Sequence, residues 1–580
     1  MFVTAQKLWG HLAARRKKQL VLLAGLMLFG GMAEAISLGL VVSFLTAMAA
    51  PEKILASPLA PSLIGFLDWA SANLGMKFNA IHLVQTYSVL VFAALFILAA
   101  LWSGGVRLAL VWANVRLASA TGTELGLSVY RHTLYQPYSV HLSRNSSSLI
   151  SGLTAKVGLV TTTLTLWLTI LTSLVIILFL CGTLFWISPW ITFGAGTILG
   201  LSYWFMSFLS ARKLARCSAV ISREQNSIVK ALQEGLGGIR DILLDGTQLI
   251  YCEIYRKADT VLRRSYADIN VIGQSPRFIM ESVGMVVFAM LAFALSKGPE
   301  GLVSALPTLG ALALGVQRLL PALQQGYAAW STISAYEEPN KEIVELLNQP
   351  LPSWLATDVP KPIRFENKLR FASVSFRYSK TGPFVLRALS FGIKKGSRVG
   401  FVGKTGVGKS TCLDLLMGLL EPSVGKIYID DEPLGPKNLR AWQRNIAHVP
   451  QSIYLSDGSL AENIAFGVPQ GEIDMRRVEK VARMAQIADF IESSPQKYQA
   501  VVGERGIRLS GGQRQRIGIA RALYKQAQVL ILDEATSALD QKTEEDVMKS
   551  IHTLNPSITI LVVAHRKSSL RKCQQTIRLK

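Results

Sequence analysis

Nine consecutive residues, Gly403-Lys404-Thr405-Gly406-Val407-Gly408-Lys409-Ser410-Thr411, carry the full spacing of a phosphate-binding loop, the Walker A pattern. Glycines let backbone N–H groups wrap phosphate oxygens without side-chain obstruction, and a helix starting at the end of the loop adds its dipole. Lys409 is expected to reach the β- and γ-phosphates of ATP, and Ser410 to ligate Mg2+. A second segment, Val529-Leu530-Ile531-Leu532-Asp533-Glu534, has four apolar residues suited to a buried parallel strand, with two carboxylates emerging at its end. Asp533 would belong to the Mg2+ shell, and Glu534 would orient or deprotonate an attacking water. Taken alone the acidic segment is a weak signal, because many buried strands end in acids.

The surrounding sequence supplies the elements these groups need. Val399-Gly400-Phe401-Val402 reads as a strand running into the glycine loop, and Leu413, Leu416, Met417 and Leu420 fall at helical spacing after it. Val374, Phe376 and Tyr378 alternate as on a half-buried strand. The stretch 348–362 holds four prolines and marks a boundary. The expected organisation is therefore a membrane domain over 1–347, a linker over 348–362 and a soluble α/β ATPase domain over 363–580.

Of the 580 residues, 50% are hydrophobic and only 17% charged, with the apolar residues concentrated before about Trp330. A bilayer core takes about 20 apolar residues per helix. Leu20 to Met48, Val84 to about Val106, two spans within Val157 to Ser210 turning at Ser188-Pro189, Phe278 to Leu295 and Leu302 to Tyr327 give six expected spans. Arg15, Arg16, Lys17 and Lys18 precede the first, in a chain with no expected cleavable signal. Arg116, Arg131, Arg144 and Lys156 follow the second, and ten cations from Arg212 to Arg264 follow the fourth. The opposite loops carry chiefly Lys53, Lys77 and Lys297, so both termini are expected in the cytoplasm. The two long basic segments keep helical apolar spacing and read as extensions of the spanning helices. Gln136-Pro137 and Gly235 to Gly238 are breaks suited to short transverse helices.

The net charge of +23 is accounted for by those loops facing anionic lipid. No base-stacking or groove-reading module appears, so nucleic acid is not an expected partner. The five cysteines (Cys181, Cys217, Cys252, Cys412, Cys573) lack metal-ligand spacing and read as free thiols.

Leu509-Ser510-Gly511-Gly512-Gln513, upstream of the acidic strand, gives the two phosphate motifs their context. With it the chain resembles the ABC transporter family, whose defining signature is this pentapeptide. In that family the signature sits at a helix N-terminus and contacts the γ-phosphate of ATP held by the opposite subunit, so the resemblance implies a dimer, most simply a homodimer, with Ser510, Gly511, Gly512 and Gln513 acting in trans. It further implies that Tyr378 stacks on adenine, the alternative being a strand-face tyrosine, and that Gln451 senses Mg2+. Val502-Gly503-Glu504-Arg505-Gly506 resembles the exporter loop that touches the membrane domain. Ser537-Ala538-Leu539-Asp540 resembles the loop at the dimer seam, and His565 the switch histidine that contacts the γ-phosphate. Family members continue after that histidine through a further strand pair and a terminal helix; this sequence stops at Lys580, soon after Thr576-Ile577-Arg578-Leu579.

Fused membrane and ATPase halves, with no peptidase domain expected ahead of the first span, look like an ABC exporter of the inner membrane. His141-Leu142-Ser143-Arg144-Asn145-Ser146-Ser147-Ser148-Leu149-Ile150, Gln233 to Leu244 and Ser275-Pro276-Arg277-Phe278 resemble the lipid-linked oligosaccharide flippase family (PglK type). In that family cavity arginines contact a pyrophosphate and an external helix serves a polyprenyl tail. Here Arg107, Arg277 and Arg318 lie in or beside spans two, five and six, where ionisable groups usually face a cavity, and arginine's planar donors match phosphate oxygens. The alternatives are snorkelling and, for Arg277, pairing with Glu281 one turn on. Glu34 reads either as a further cavity group or as a buried hydrogen-bonding acid. Leu63, Phe66, Leu67, Ala70 and Leu74 form an apolar stripe ahead of Gly75, suiting either an interfacial helix or a cap on the bundle. The expected activity is ATP-driven movement of an anionic amphiphile from the inner to the outer leaflet. The alternatives are a drug or simple-lipid exporter and an ATP-gated channel or membrane regulator.

Overall fold

The computed structural model describes residues 2–49, 65, 88–296, 301–352, 355, 360–535, 540–554, 557–563 and 573–579. It divides into two compact units, 1–136 with 144–350, and 137–143 with 351–580.

The first unit is helical: α1 (Phe2–Gly10), α2 (Ala14–Ala49), α3 (Ser88–Leu134), then, after the short helix of the second unit, α5 (Ser146–Ser151), α6 (Val157–Ile187), α7 (Pro189–Gly237), α8 (Ile239–Asp245), α9 (Gln248–Ser296), α10 (Gly301–Ala335) and α11 (Glu337–Leu347). That short helix, α4, runs Tyr138–Ser143 and follows the Gln136-Pro137 break; α8 follows the glycine cluster ending at Gly238. At about 1.5 Å per residue, the 47 residues of α3 and the 49 of α7 and of α9 each extend on the order of 70 Å, more than twice the hydrocarbon thickness. The expected extensions of the spans are thus continuous helix.

Among the described residues, four helical stretches are long and apolar enough to cross a membrane: Ala14–Met48, Val89–Leu134, Ser146–Ile187 and Thr192–Gly237. The expected fifth and sixth spans fall in α9 and α10, which that count does not include. Ser188 is extended (φ −152°, ψ 95°), and Pro189 opens α7 in the first-turn position where its missing N–H costs nothing. Trp186 and Trp190 flank this turn, both exposed, as aromatic residues do where helices meet the headgroup layer. Small residues let the helices approach. A Cβ at Gly122 would run into the Thr161 side chain, so glycine suits this contact between α3 and α6. Apart from Gly65, the expected external helix (Leu63 to Leu74) lies outside the described residues.

α11, which leads into the linker, is fastened to its own unit. Ile343, Val344 and Leu347 pack against Leu8, Leu125, Val129 and Val160. The wholly buried Lys156 ammonium pairs with the Glu342 carboxylate and donates to Ser222 Oγ, 3.3 Å away.

The second unit holds β1 (Lys368–Phe376), β2 (Leu386–Lys394), β3 (Arg398–Val402), α12 (Lys409–Leu416), β4 (Val424–Ile429), β5 (Glu432–Pro433), α13 (Leu439–Gln443), β6 (Ile446–Val449), α14 (Gly511–Tyr524), β7 (Val529–Asp533), α15 (Gln541–Leu554), β8 (Thr559–Val563) and β9 (Gln575–Arg578), among further helices between β6 and α14. An antiparallel sheet has the order β2-β1-β4-β5, and a parallel one the order β6-β7-β8-β3-β9. The central strands read as unbroken apolar runs because both faces are covered, every residue of β8 being buried. Alternation in β1 is broken between Phe371 and Val374, where the register shifts at Ser373 (φ 49°), and Tyr378 lies just beyond the strand.

Trp442 joins the two sheets' shared core: it is fully buried, its Nε1–H donates to the Leu416 carbonyl at 2.8 Å, and Phe365 meets its ring edge-on at 5.7 Å. Trp442→Ala is expected to destabilise this unit by about 3–5 kcal/mol. Trp442→Phe, which keeps a ring but strands that carbonyl, should cost about 1–3 kcal/mol. Thermal unfolding of the full chain checks this order.

Candidate functional site

Parallel pairing sets Phe401 opposite Val563, and Val563 opposite Asp533, so β3, β8 and β7 end in one row. The glycine loop leaves β3 directly after that row. Gly406 and Gly408 take φ of 85° and 96°, a region that costs other residues strain. A Cβ at Gly403 would meet Val407 Cγ1 at 2.7 Å and the Leu579 carbonyl at 2.9 Å. Lys404, Thr405 and Val407 complete the turn, with Val407 N donating to Lys404 O at 3.3 Å. Lys409 starts α12, and its ammonium bonds the loop carbonyls of Gly403 (2.9 Å) and Lys404 (3.3 Å), inside the curve where phosphates would lie.

The two halves of the expected Mg2+ shell meet. Ser410 lies near Asp533, whose carboxyl is pushed up chiefly by burial and also by Glu534, while the Ser410 hydroxyl and the Lys409 charge pull it down. A hydroxyl beside a carboxylate is an oxygen donor set that fits Mg2+. Gln451, just past β6, donates from Nε2 to Glu534 Oε2 at 2.9 Å. Glu534 adopts φ 50°, uncommon for a non-glycine residue, and its N–H is tied to Val563 O at 3.0 Å. Tyr378 holds Thr411 Oγ1 through its hydroxyl at 2.9 Å and is met edge-on by Phe376, and with 57% of its surface exposed its ring has a free face.

Ser510 caps α14 in a reciprocal box: its Oγ accepts from Gln513 N at 3.2 Å, and Gln513 Oε1 accepts from Ser510 N at 2.8 Å. The exposed start of the helix, through Gly511 and Gly512, is left with unspent amides. Asp540 stands ahead of α15 and accepts from Thr543 Oγ1 and N, and these bonds hold its carboxyl below the usual range. His565 and Ser537 to Leu539 lie outside the described residues. The loop at Val502 to Gly506 is shaped by positive φ at Gly503, Arg505 and Gly506, with Glu504 and Arg505 exposed.

One acid escaped the sequence reading. Asp414 stands one turn after Ser410 on α12, and burial, with the nearby Asp533 charge, pushes its carboxyl up to about 6. Its charge in turn acts on Tyr138 of α4, whose phenol is pushed up by burial first. An acid one helical turn from the loop serine is the sequence signal that could have identified it.

The three arginines of the first unit do not converge. Arg107 and Arg318 both pair with Glu34, Arg318 Nη1 lying 2.8 Å from its Oε2. Arg277 instead pairs with Glu281 one turn on, Nε to Oε1 at 2.7 Å, on an exposed face. An i,i+4 partner of opposite sign satisfies it locally, the pairing that its spacing from Glu281 offers in the sequence as the alternative to a cavity role.

The family model described as ABC transporter matches residues 386–537, and the one described as ABC transporter transmembrane region matches 20–298. An ATP-dependent lipid A-core flippase of Chromohalobacter salexigens is 29% identical, over 78% of each chain. One of Xylella fastidiosa is 31% identical, over 68% of this chain and 66% of that protein. Among solved structures, a bacterial Atm1-family ABC exporter with ATP bound superposes with a TM-score of 0.76 over 97% of this chain and 93% of that one, at 21% identity. With its helical and its α/β unit each matched by a model of the family, this membrane protein belongs to the ABC transporter family, carrying a transmembrane region and an ABC ATPase domain in one polypeptide.

Proposed function

We propose that the chain is one half of a homodimeric ATP-driven exporter, a translocase that moves an anionic amphiphilic lipid from the inner to the outer leaflet of the cell (inner) membrane. The observation that carries this reading is an ATPase site fused to a helical membrane region, in the company of relatives named as ATP-dependent lipid A-core flippases. Those relatives and the motifs resembling lipid-linked oligosaccharide flippases agree on a lipid as cargo. The boundaries at 348 and 362 separate the two functions, with both termini and the ATPase domain in the cytoplasm.

In this reading ATP lies on the Gly403–Thr411 loop, with Lys409 turned from its loop carbonyls to the phosphates and Tyr378 against the base. Ser410 and Asp533, with Gln451, would hold Mg2+, which when bound would supply positive charge beside the phosphates. Glu534, aligned by Gln451, orients the attacking water and accepts its proton; His565 contacts the γ-phosphate. Ser510 to Gln513 complete the nucleotide site of the second copy, with Asp540 at the seam, so that ATP binding draws two copies together and hydrolysis releases them. Arg107 and Arg318 receive the anionic head of the cargo.

Glu534→Gln keeps the shape and removes the base, so steady ATP hydrolysis should fall by roughly 10²–10⁴-fold while nucleotide binding persists. Wild-type turnover in that variant, measured as phosphate release, would sink the assignment. Arg318→Ala should slow flipping of a diphosphate-linked glycolipid in proteoliposomes by about tenfold or more. Unchanged flipping would favour a drug or simple-lipid exporter.

A further inference from the structure

Glu34 lies on α2 and is 1% exposed, in a helix long and apolar enough to span a membrane. A carboxylate so placed is costly unless it is paired and its lone pairs are used. Here both oxygens are engaged. Oε1 faces Arg107 Nε and accepts from Ser103 Oγ, while Oε2 accepts from Arg318 Nη1 at 2.8 Å. Ser103 and Arg107 stand one turn apart on α3, so both reach the same oxygen from one face. Ser37, one turn beyond Glu34 on α2 and itself buried, takes Arg318 Nη2 at 3.1 Å.

The two guanidiniums are not consumed by this arrangement. A guanidinium has five N–H donors. Arg107 is ion-paired to Glu34 through its Nε edge, and Arg318 spends one donor on Glu34 and one on Ser37, so each keeps the majority. Arg107 remains 48% exposed and Arg318 23% exposed, whereas the carboxylate between them is sealed. Two guanidiniums and one carboxylate leave a net positive charge. Without Glu34, each long side chain would be free to swing its head towards water, and the two positive groups would repel. With it, each is pinned by its inner edge and presents its outer edge.

We propose that Glu34 is a positioning residue that makes Arg107 and Arg318 into one receptor for a phosphate-bearing lipid headgroup, with Ser37 and Ser103 fixing the geometry. This rests on the reading of Arg107 and Arg318 as headgroup ligands given above. The carboxylate sets both the spacing of the guanidiniums and the net charge of the receptor. The anionic head binds the donors that Glu34 leaves unspent and does not replace Glu34.

The test uses the full-length transporter in proteoliposomes and a short polyprenyl diphosphate as probe, with the matching polyprenol as uncharged control. The readout is the probe concentration giving half-maximal change in ATPase rate, each variant normalised to its own basal rate. Glu34→Gln is expected to raise that concentration by about tenfold or more with a smaller effect on the maximal change, and Glu34→Asp to recover part of the loss. A merely structural role would move melting temperature and maximal rate while leaving the half-maximal concentration in place. If Glu34→Gln melts early, Ser37→Ala carries the test, with a rise of several-fold expected; no rise would overturn the proposal. A wild-type response in Glu34→Gln alongside a lost response in Arg318→Ala would refute the role of Glu34 and leave the headgroup reading standing. Equal responses of the wild type to the diphosphate and the alcohol would overturn both.

Discussion

Strand polarity is the constraint on which the ATPase unit depends. β6, β7, β8 and β3 run parallel, so the residues following each strand emerge on one edge of the sheet. That edge collects Gln451 after β6, Asp533 and Glu534 at the end of β7, the tie from Glu534 N to Val563 at the end of β8, and the glycine loop after β3. No long loop has to fold back to bring these groups together. The cost is burial on both faces, met by Val529 to Leu532 and Thr559 to Val563, all buried. A one-residue slip of β7 would turn Asp533 to the opposite face of the sheet and separate it from Ser410.

In the helical unit the governing term is the cost of charge away from water. Its most buried ionic groups, Lys156 and Glu34, are each met by opposite charge and by a serine hydroxyl. Their partners lie on other helices, so each pair also ties helices together: α2, α3 and α10 at Glu34, and α11 to the start of α6 at Lys156. Breaking such a pair on one side costs about 3–5 kcal/mol. The helix leading into the linker is therefore held by electrostatics as well as by Ile343, Val344 and Leu347.

Local chemistry was legible in the sequence, and partnership across the chain was not. The glycine loop, the strand ahead of Asp533 and the breaks at Gln136-Pro137 and Gly235 to Gly238 are written in neighbouring residues, and the elements lie where those residues predict. Arg277 and Glu281 could be paired on paper because helical spacing makes them neighbours. Glu34 with Arg318 could not, since they are 284 positions apart and nothing local couples them. Asp414 was missed for a related reason: its proximity to Asp533 depends on how α12 lies on the sheet, which periodicity does not give. Helix α4 joining the second unit, although its sequence neighbours belong to the first, is likewise a tertiary fact.

The reciprocal cap at Ser510 also affects how substitutions there are to be read. One of the two lone pairs of its hydroxyl is already taken by Gln513 N, so toward an incoming group this residue offers its proton and a single remaining lone pair. Replacing Ser510 with alanine removes two things at once: that donor, and the cap that starts α14 at about 1 kcal/mol. A loss of activity in such a variant mixes a chemical defect with a frayed helix start. Threonine, which keeps both the cap and the hydroxyl proton, is the control that separates them.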